Sequence, residues 1–168
     1  MNITKKIIIT DTNIITDLNN ANILDRFVIL DNVYISDMVK NDEINSKTGD
    51  IHIINQFKTI GTTSEQITEM LLISSKNHSL SHYDIINFII ARDNDAILAT
   101  GDNRLKKFSE ENHIEVIRTL KIICLMVDNN IISIKDAINA CVLLKNNSST
   151  RIPIDDIENL IIKLKKAQ

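Results

Sequence analysis

LSHYDIINFIIARDNDAILATGDNRLKKFSEENHIEVIRTL, residues 80–120, decides the architecture. Ser81 opens a helix that runs to about Arg92, with Ile85, Ile86, Phe88, Ile89 and Ile90 leaving little of it for solvent. Residues 96–100 (AILAT) read as a short apolar strand, ended by Gly101-Asp102. An amphipathic helix follows from Asp102 to Asn112, with Leu105 and Phe108 inward, and IEVI at 114–117 is the next strand. Strands that alternate with helices, each strand a continuous apolar run, imply a parallel sheet covered on both faces.

The rest of the chain extends the pattern. IIIT at 7–10 is a strand that ends in Asp11-Thr12-Asn13, and one or two short helices carry Ile14, Ile15, Leu18, Leu24 and Phe27. NVYIS at 32–36 is a second strand, with a helix expected over 37–44. Residues 45–63 show no clear period. Helices are expected at 64–75, 119–128, 134–144 and 154–166. The expected fold class is α/β: a three-layer α/β/α domain with a central parallel sheet and a helical C-terminal extension. No repeat or linker divides it, so one domain over 1–168 is expected, with a core at about 5–118 and C-terminal helices at about 119–166.

The 168 residues are 43% hydrophobic and 24% charged, near the globular norm, although isoleucine alone makes up about a fifth. A domain of this length buries roughly 70% of the surface its unfolded chain exposes, enough for a real core. Gly49, Gly61 and Gly101 lie too far apart for a G-x-G-x-x-G or Walker phosphate loop, which excludes those nucleotide-binding modes. The net charge of −3 gives no global attraction for polyanions, so any nucleic-acid contact must come from a local patch. Cys124 and Cys141 sit in apolar helical contexts and read as reduced core residues. No run approaches the roughly 18 apolar residues of a membrane helix, and the apolar run in MNITKKIIIT is too short for a signal-peptide core. A soluble cytoplasmic protein without a membrane segment is expected.

In open parallel sheets, ligands sit beyond the carboxyl ends of the strands. Asp11 follows IIIT at once and Asp102 follows AILAT after one glycine, so both carboxylates open into one cleft if those strands are neighbours. Asp42 or Glu43, on the helix after the second strand, and Asp84, at the start of the helix over 81–92, can join them. Close carboxylates repel unless a cation or a shared proton compensates. Oxygen-only ligands favour Mg²⁺ or Mn²⁺ over zinc, and such a site supports metal-assisted attack of water on a phosphodiester. Repulsion in the cleft predicts that Asp102→Asn relieves about 1 kcal/mol in metal-free protein. Capping is the competing explanation, since Asp is a favoured N-cap residue and Ser81-x-x-Asp84 and Ser133-x-x-Asp136 read as capping boxes. Each acid alone is explained that way. Their coincidence at matching strand ends favours a site.

The segments IIITDTNIITDL, VYISDMVKNDEI and residues 80–120, with the NNIIS turn before the helix at 134, resemble PIN-domain proteins over essentially the whole chain. The tail is similar to a bacterial subgroup related to the VapC-like toxin ribonucleases. The resemblance implies a Mg²⁺- or Mn²⁺-dependent endoribonuclease that hydrolyses RNA phosphodiester bonds, the toxin component of a toxin–antitoxin pair. RNA is then the substrate, an antitoxin protein the partner and a homodimer the assembly. Residue by residue, the resemblance puts the catalytic acids on Asp11, Glu43, Asp84 and Asp102, with Asp11, Asp84 and Asp102 holding the metal. Glu43 is chosen because Ile44 follows it; Asp42, one residue away, is the alternative. Asn13 is expected to hold the Asp11 turn, and Thr100 to be a hydrogen-bonding neighbour of Asp102. A PIN-fold module that keeps its acids but binds RNA or a partner protein without cutting is the second reading.

Arg104, Lys106 and Lys107 follow Asp102 on a helix and can contact RNA phosphates, although charges on such a polar face are more often simply solvated. His78 and His82 sit at a polar loop-to-helix junction and are not expected to be ligands. Asp17, Asp25, Asp93 and Asp95 read as solvated or capping residues. Without Trp, and with only Tyr34 and Tyr83, no base-stacking platform is evident.

Overall fold

The computed structural model describes residues 6–44 and 52–167, without the side chains of residues 43, 44 and 52. Strands β1 (Ile8–Thr10), β2 (Val33–Ser36), β3 (Lys58–Ile60), β4 (Ile97–Ala99) and β5 (Val116–Ile117) form one sheet in the order β3-β2-β1-β4-β5, every pair parallel. Around it lie helices α1 (Thr12–Asn20), α2 (Leu24–Phe27), α3 (Ser64–Ser74), α4 (His82–Asp93), α5 (Asn103–Glu111), α6 (Thr119–Asp128), α7 (Ile134–Asn146) and α8 (Ile154–Lys166). The architecture is the three-layer α/β/α arrangement expected from the alternation of elements.

The central strand shows why the chain folds this way. Ile8, Ile9 and Thr10 are β-branched and wholly buried, as a strand covered on both faces must be. Helix α4 packs on β1, β2 and β4 and is buried continuously from Ile85 to Ala91. Helix α3 lies against α4, tied by the Arg92–Glu69 ion pair and by Gln66 Nε2 donating to Asp93 at 2.8 Å. Helix α1 packs with α6 and α7, and α8 lies along α7. Side-chain caps fix the starts of several helices, including the reciprocal pairs Thr63–Gln66, Ser81–Asp84 and Ser133–Asp136.

Strands β2 and β3 lie to one side of β1, and β4 and β5 to the other, so the direction of winding reverses between β1 and β4. The crevice at the carboxyl ends of that pair is where an open parallel sheet receives its ligand. Thr10 stands in register with Ala99, and the Asp11 N–H donates to the Ala99 carbonyl at 3.1 Å. Asp11 and Asp102 therefore leave neighbouring strand ends.

Two segments depart from expectation. Strand β3 arises within residues 45–63, where no strand was expected. It is three residues long, and both Lys58 and Thr59 are exposed, so it carries no apolar signal. Of the helix expected over 37–44, residues Val39–Ile44 are wound as a π-helix. Its turn is wider than an α-turn, so the α-helical phase that would separate Asp42 from Glu43 does not apply. None of the helices among the described residues is long and apolar enough to cross a membrane.

Candidate active site

Asp11 is buried, with 3% of its surface exposed. It is the N-cap of α1: Oδ1 accepts from the Ile14 N–H at 3.0 Å. Oδ2 accepts from the Thr100 hydroxyl and from Asn13 Nδ2 at 3.4 Å. Burial pushes its pKa up to about 7, against the bonds from Thr100, Ile14 and Asn13, and the charge of Asp84 adds to the rise. Without a compensating cation, burial favours the protonated form of this carboxyl.

Asp102 caps α5, its Oδ1 accepting from the Arg104 and Leu105 N–H groups at 2.7 and 2.9 Å. Oδ2 stands 3.6 Å from Arg104 Nη2. Partial burial pushes this acid upward, but the two backbone donors and the Arg104 guanidinium outweigh it and hold Asp102 below the ordinary carboxylate value. Thr100 joins the two acids. It is fully buried, donates its hydroxyl proton to Asp11 and accepts from the Asp102 N–H at 3.0 Å.

Asp84 is half-buried at the start of α4, where Oδ2 accepts from the Ser81 N–H and the Ser81 hydroxyl, both at 2.8 Å. Its capping duty and its influence on Asp11 coexist. Asp42 is exposed, and the side chain of Glu43 lies outside the described residues. Asn13 is placed beside Asp11, but Lys106 and Lys107 face Glu110 and Glu111 at 3.8 and 3.9 Å along α5. Those pairs offset the positive patch expected there.

The donors fit a hard divalent cation in chemistry: they are all oxygens, and Asp11 is a buried acid whose negative form has no positive partner among the described residues. In the arrangement seen, no three His, Cys, Asp or Glu side chains among the described residues stand together as a cation site. Ser81 holds Asp84, and the α5 backbone holds Asp102. His78 and His82 are both exposed.

Two acids matter more than their sequence context indicated. Asp37 directly follows β2, and its Oδ1 accepts from the Thr62 hydroxyl at 2.6 Å and the Thr62 N–H at 3.1 Å, tying the ends of β2 and β3. Asp17, expected to be solvated or a cap, accepts from the Thr119 hydroxyl at 2.6 Å. Burial raises its pKa, partly offset by Thr119, Arg118 and Arg151. A signal was available in α1, where Asn13, Thr16, Asp17 and Asn20 recur at helical spacing on the side opposite Ile14, Ile15 and Leu18.

A family model described as DUF3368, PIN domain, matches residues 7–166. No curated protein and no solved structure matches the chain.

Proposed function

Because the chain belongs to the PIN-domain family, a fold generally associated with nucleases, we propose that it is a Mg²⁺- or Mn²⁺-dependent endoribonuclease. The observation that carries this reading is the pair Asp11 and Asp102 at the carboxyl ends of adjacent strands, joined through the Thr100 hydroxyl at the point where the sheet reverses its winding. Asp11, Asp84 and Asp102 would hold the metal, and Glu43, or Asp42 in its place, would complete the acid set. When bound, such a cation offsets the charge of the phosphodiester and acidifies the attacking water. Thr100 and Asn13 keep Asp11 oriented by donating to Oδ2. The α5 cap fixes Asp102, while Arg104, Lys106 and Lys107 supply weak phosphate contacts. We further assign a toxin role, cytoplasmic location, an antitoxin partner and a homodimer.

Purified protein incubated with single-stranded RNA should cut it with Mn²⁺ or Mg²⁺ and stop with EDTA. Asp11→Asn should lose the activity. Metal-independent cutting, or cutting that survives Asp11→Asn, would refute the site.

One observation favours the second reading, a PIN fold that binds RNA or a partner protein without cutting. Among the described residues, Asp84 and Asp102 spend their carboxylates on capping, and no three acids converge. RNA retention without cleavage under all metal conditions would select it.

A further inference from the structure

Beside Asp11 lies a cavity of about 450 Å³ that shares Asn13 and Gly101 with the acid site. It opens between α1, the start of α6 and the segment that leads into α8. This size falls in the range of pockets that enclose small organic ligands, roughly 300–1,000 Å³.

Its lining is mixed in a particular way. Asp17 lies on the α1 wall, held by the Thr119 hydroxyl at 2.6 Å. Arg118 also lines the cavity and is held in place, Nη1 donating to Asn103 Oδ1 at 2.7 Å and Nη2 to the Gly101 carbonyl at 2.8 Å. Arg151 comes from the opposite segment, and its charge reaches Asp17. Leu120, Ile152 and Pro153 add apolar surface.

An apolar ligand would desolvate two guanidinium groups and a carboxylate without replacing their partners. A bare anion would be drawn by the arginines and repelled by Asp17 and Asp156, which also lines the cavity. A ligand with an anionic end, a flat apolar face and N–H donors satisfies all three kinds of wall. A nucleotide has these parts, and Asn13, which donates to Asp11 and lines the cavity, sets the cavity beside the proposed site of cleavage.

We propose that this cavity is a subsite for the RNA nucleotide flanking the scissile bond, with Arg118 and Arg151 on its phosphate and Asp17 reading the base. Asp17 is an acceptor, so it selects a base whose edge presents N–H donors side by side. Guanine, with its N1–H and exocyclic amino group adjacent, is the first choice, and uracil the poorest. The Thr119 hydroxyl holds the carboxylate in place to receive them. The assignment rests on the nuclease reading for its position along the RNA, but binding in the cavity can be measured without cutting.

The test uses guanosine and uridine 5′-monophosphates, titrated by calorimetry into wild-type and Asp11→Asn protein. Guanosine monophosphate should bind about tenfold tighter than uridine monophosphate in both, as expected of a good bidentate contact. Asp17→Asn should remove that preference. Arg151→Ala, at an exposed position that leaves Asp17 and Thr119 bonded, should weaken both nucleotides about tenfold while keeping their ratio. In cleavage by the wild type, sequenced fragment ends should be enriched in guanine beside the cut, and Asp17→Asn should erase the enrichment. Base-selective binding with no cleavage would sustain the cavity and overturn the nuclease reading. Cleavage without base preference, unmoved by Asp17→Asn and Arg151→Ala, would overturn the subsite and leave the nuclease standing.

Discussion

The ends of β1 and β4 carry the same residue type in the same role, yet their electrostatics are opposed. Asp11 and Asp102 both cap a helix and both touch Thr100. Asp11 is pushed up to about 7 because burial outweighs its three hydrogen bonds. Asp102 is held below its ordinary value because two backbone donors and Arg104 outweigh partial burial. One strand end thus stores an unfavourable charge and the other a favourable one. At Asp11 capping and the proposed metal-binding role are compatible, because the cap fixes the carboxylate while burial makes its charge unfavourable; at Asp102 the cap itself satisfies the charge.

The largest effect is expected at Asp11. Its folded-state pKa lies above its unfolded value, so the metal-free protein takes up a proton on folding between about pH 4 and 7. Stability therefore falls as pH rises through that interval and levels off above it, by at most about 4 kcal/mol. Asp11→Asn removes the ionisation but turns an amide N–H toward Thr100 or Asn13, so a net gain of about 2 kcal/mol at pH 8 is expected, shrinking toward pH 4. Nuclease activity should fall at least about 100-fold. Urea unfolding at pH 4.5 and pH 8 checks both the size and the sign. Equal stability differences at the two pH values would erase the contrast.

Thr100→Val comes next. It deletes a buried hydroxyl that donates to Asp11 and accepts from Asp102, and should cost about 2 kcal/mol. Loss of a donor that lowers the Asp11 pKa should extend the pH-dependent interval upward, so the slope persists above pH 7. A mutant destabilised equally at every pH would show that the two acids are not linked through this hydroxyl.

Asp102→Asn should act in the opposite direction to Asp11→Asn. Sequence alone predicts a relief of about 1 kcal/mol, but among the described residues the backbone donors and Arg104 hold Asp102 below its ordinary value, which favours a loss instead. Its depressed pKa gives stability that is present above the unfolded value and lost as pH falls through the folded one, below about pH 4. Asn caps nearly as well, so a loss of about 0.5–1 kcal/mol at pH 7 is expected, together with loss of cleavage. Thermal unfolding at pH 7 that shows a stabilised mutant would restore the repulsion account.

The same contrast shows what could be read from the residues. The apolar runs at 7–10 and 96–100 and the buried helix over 81–92 marked the sheet and its parallel sense, because full burial leaves a continuous apolar signature. The acids at the strand ends were visible for the same reason: each is the first polar residue after such a run. Strand β3 was hidden because an exposed three-residue edge strand carries no pattern. Asp17 was hidden because its partner Thr119 lies 102 residues away. Opposite pKa directions at Asp11 and Asp102 were equally invisible, since both begin a turn into a helix and only three-dimensional burial separates them.

The smallest effect is expected at Arg104, and it asks what keeps Asp102 charged. The Arg104 guanidinium stands 3.6 Å from Oδ2, but its side chain is 66% exposed, and an ion pair so open to water contributes little. The backbone N–H groups of Leu105 and Arg104 lie 2.9 and 2.7 Å from Oδ1 and survive any substitution that keeps the helix. Arg104→Ala should therefore change stability by less than about 0.5 kcal/mol. By carboxyl-carbon NMR titration, Asp102 should rise slightly and still titrate below an ordinary Asp, leaving the opposition to Asp11 intact. If Asp102 instead rises above the ordinary value, the guanidinium and not the cap sets its charge, and the two strand ends differ through one exposed side chain. RNA affinity provides a separate readout: a modest loss with a shallower salt dependence would place Arg104 on a phosphate in addition to its contact with Asp102.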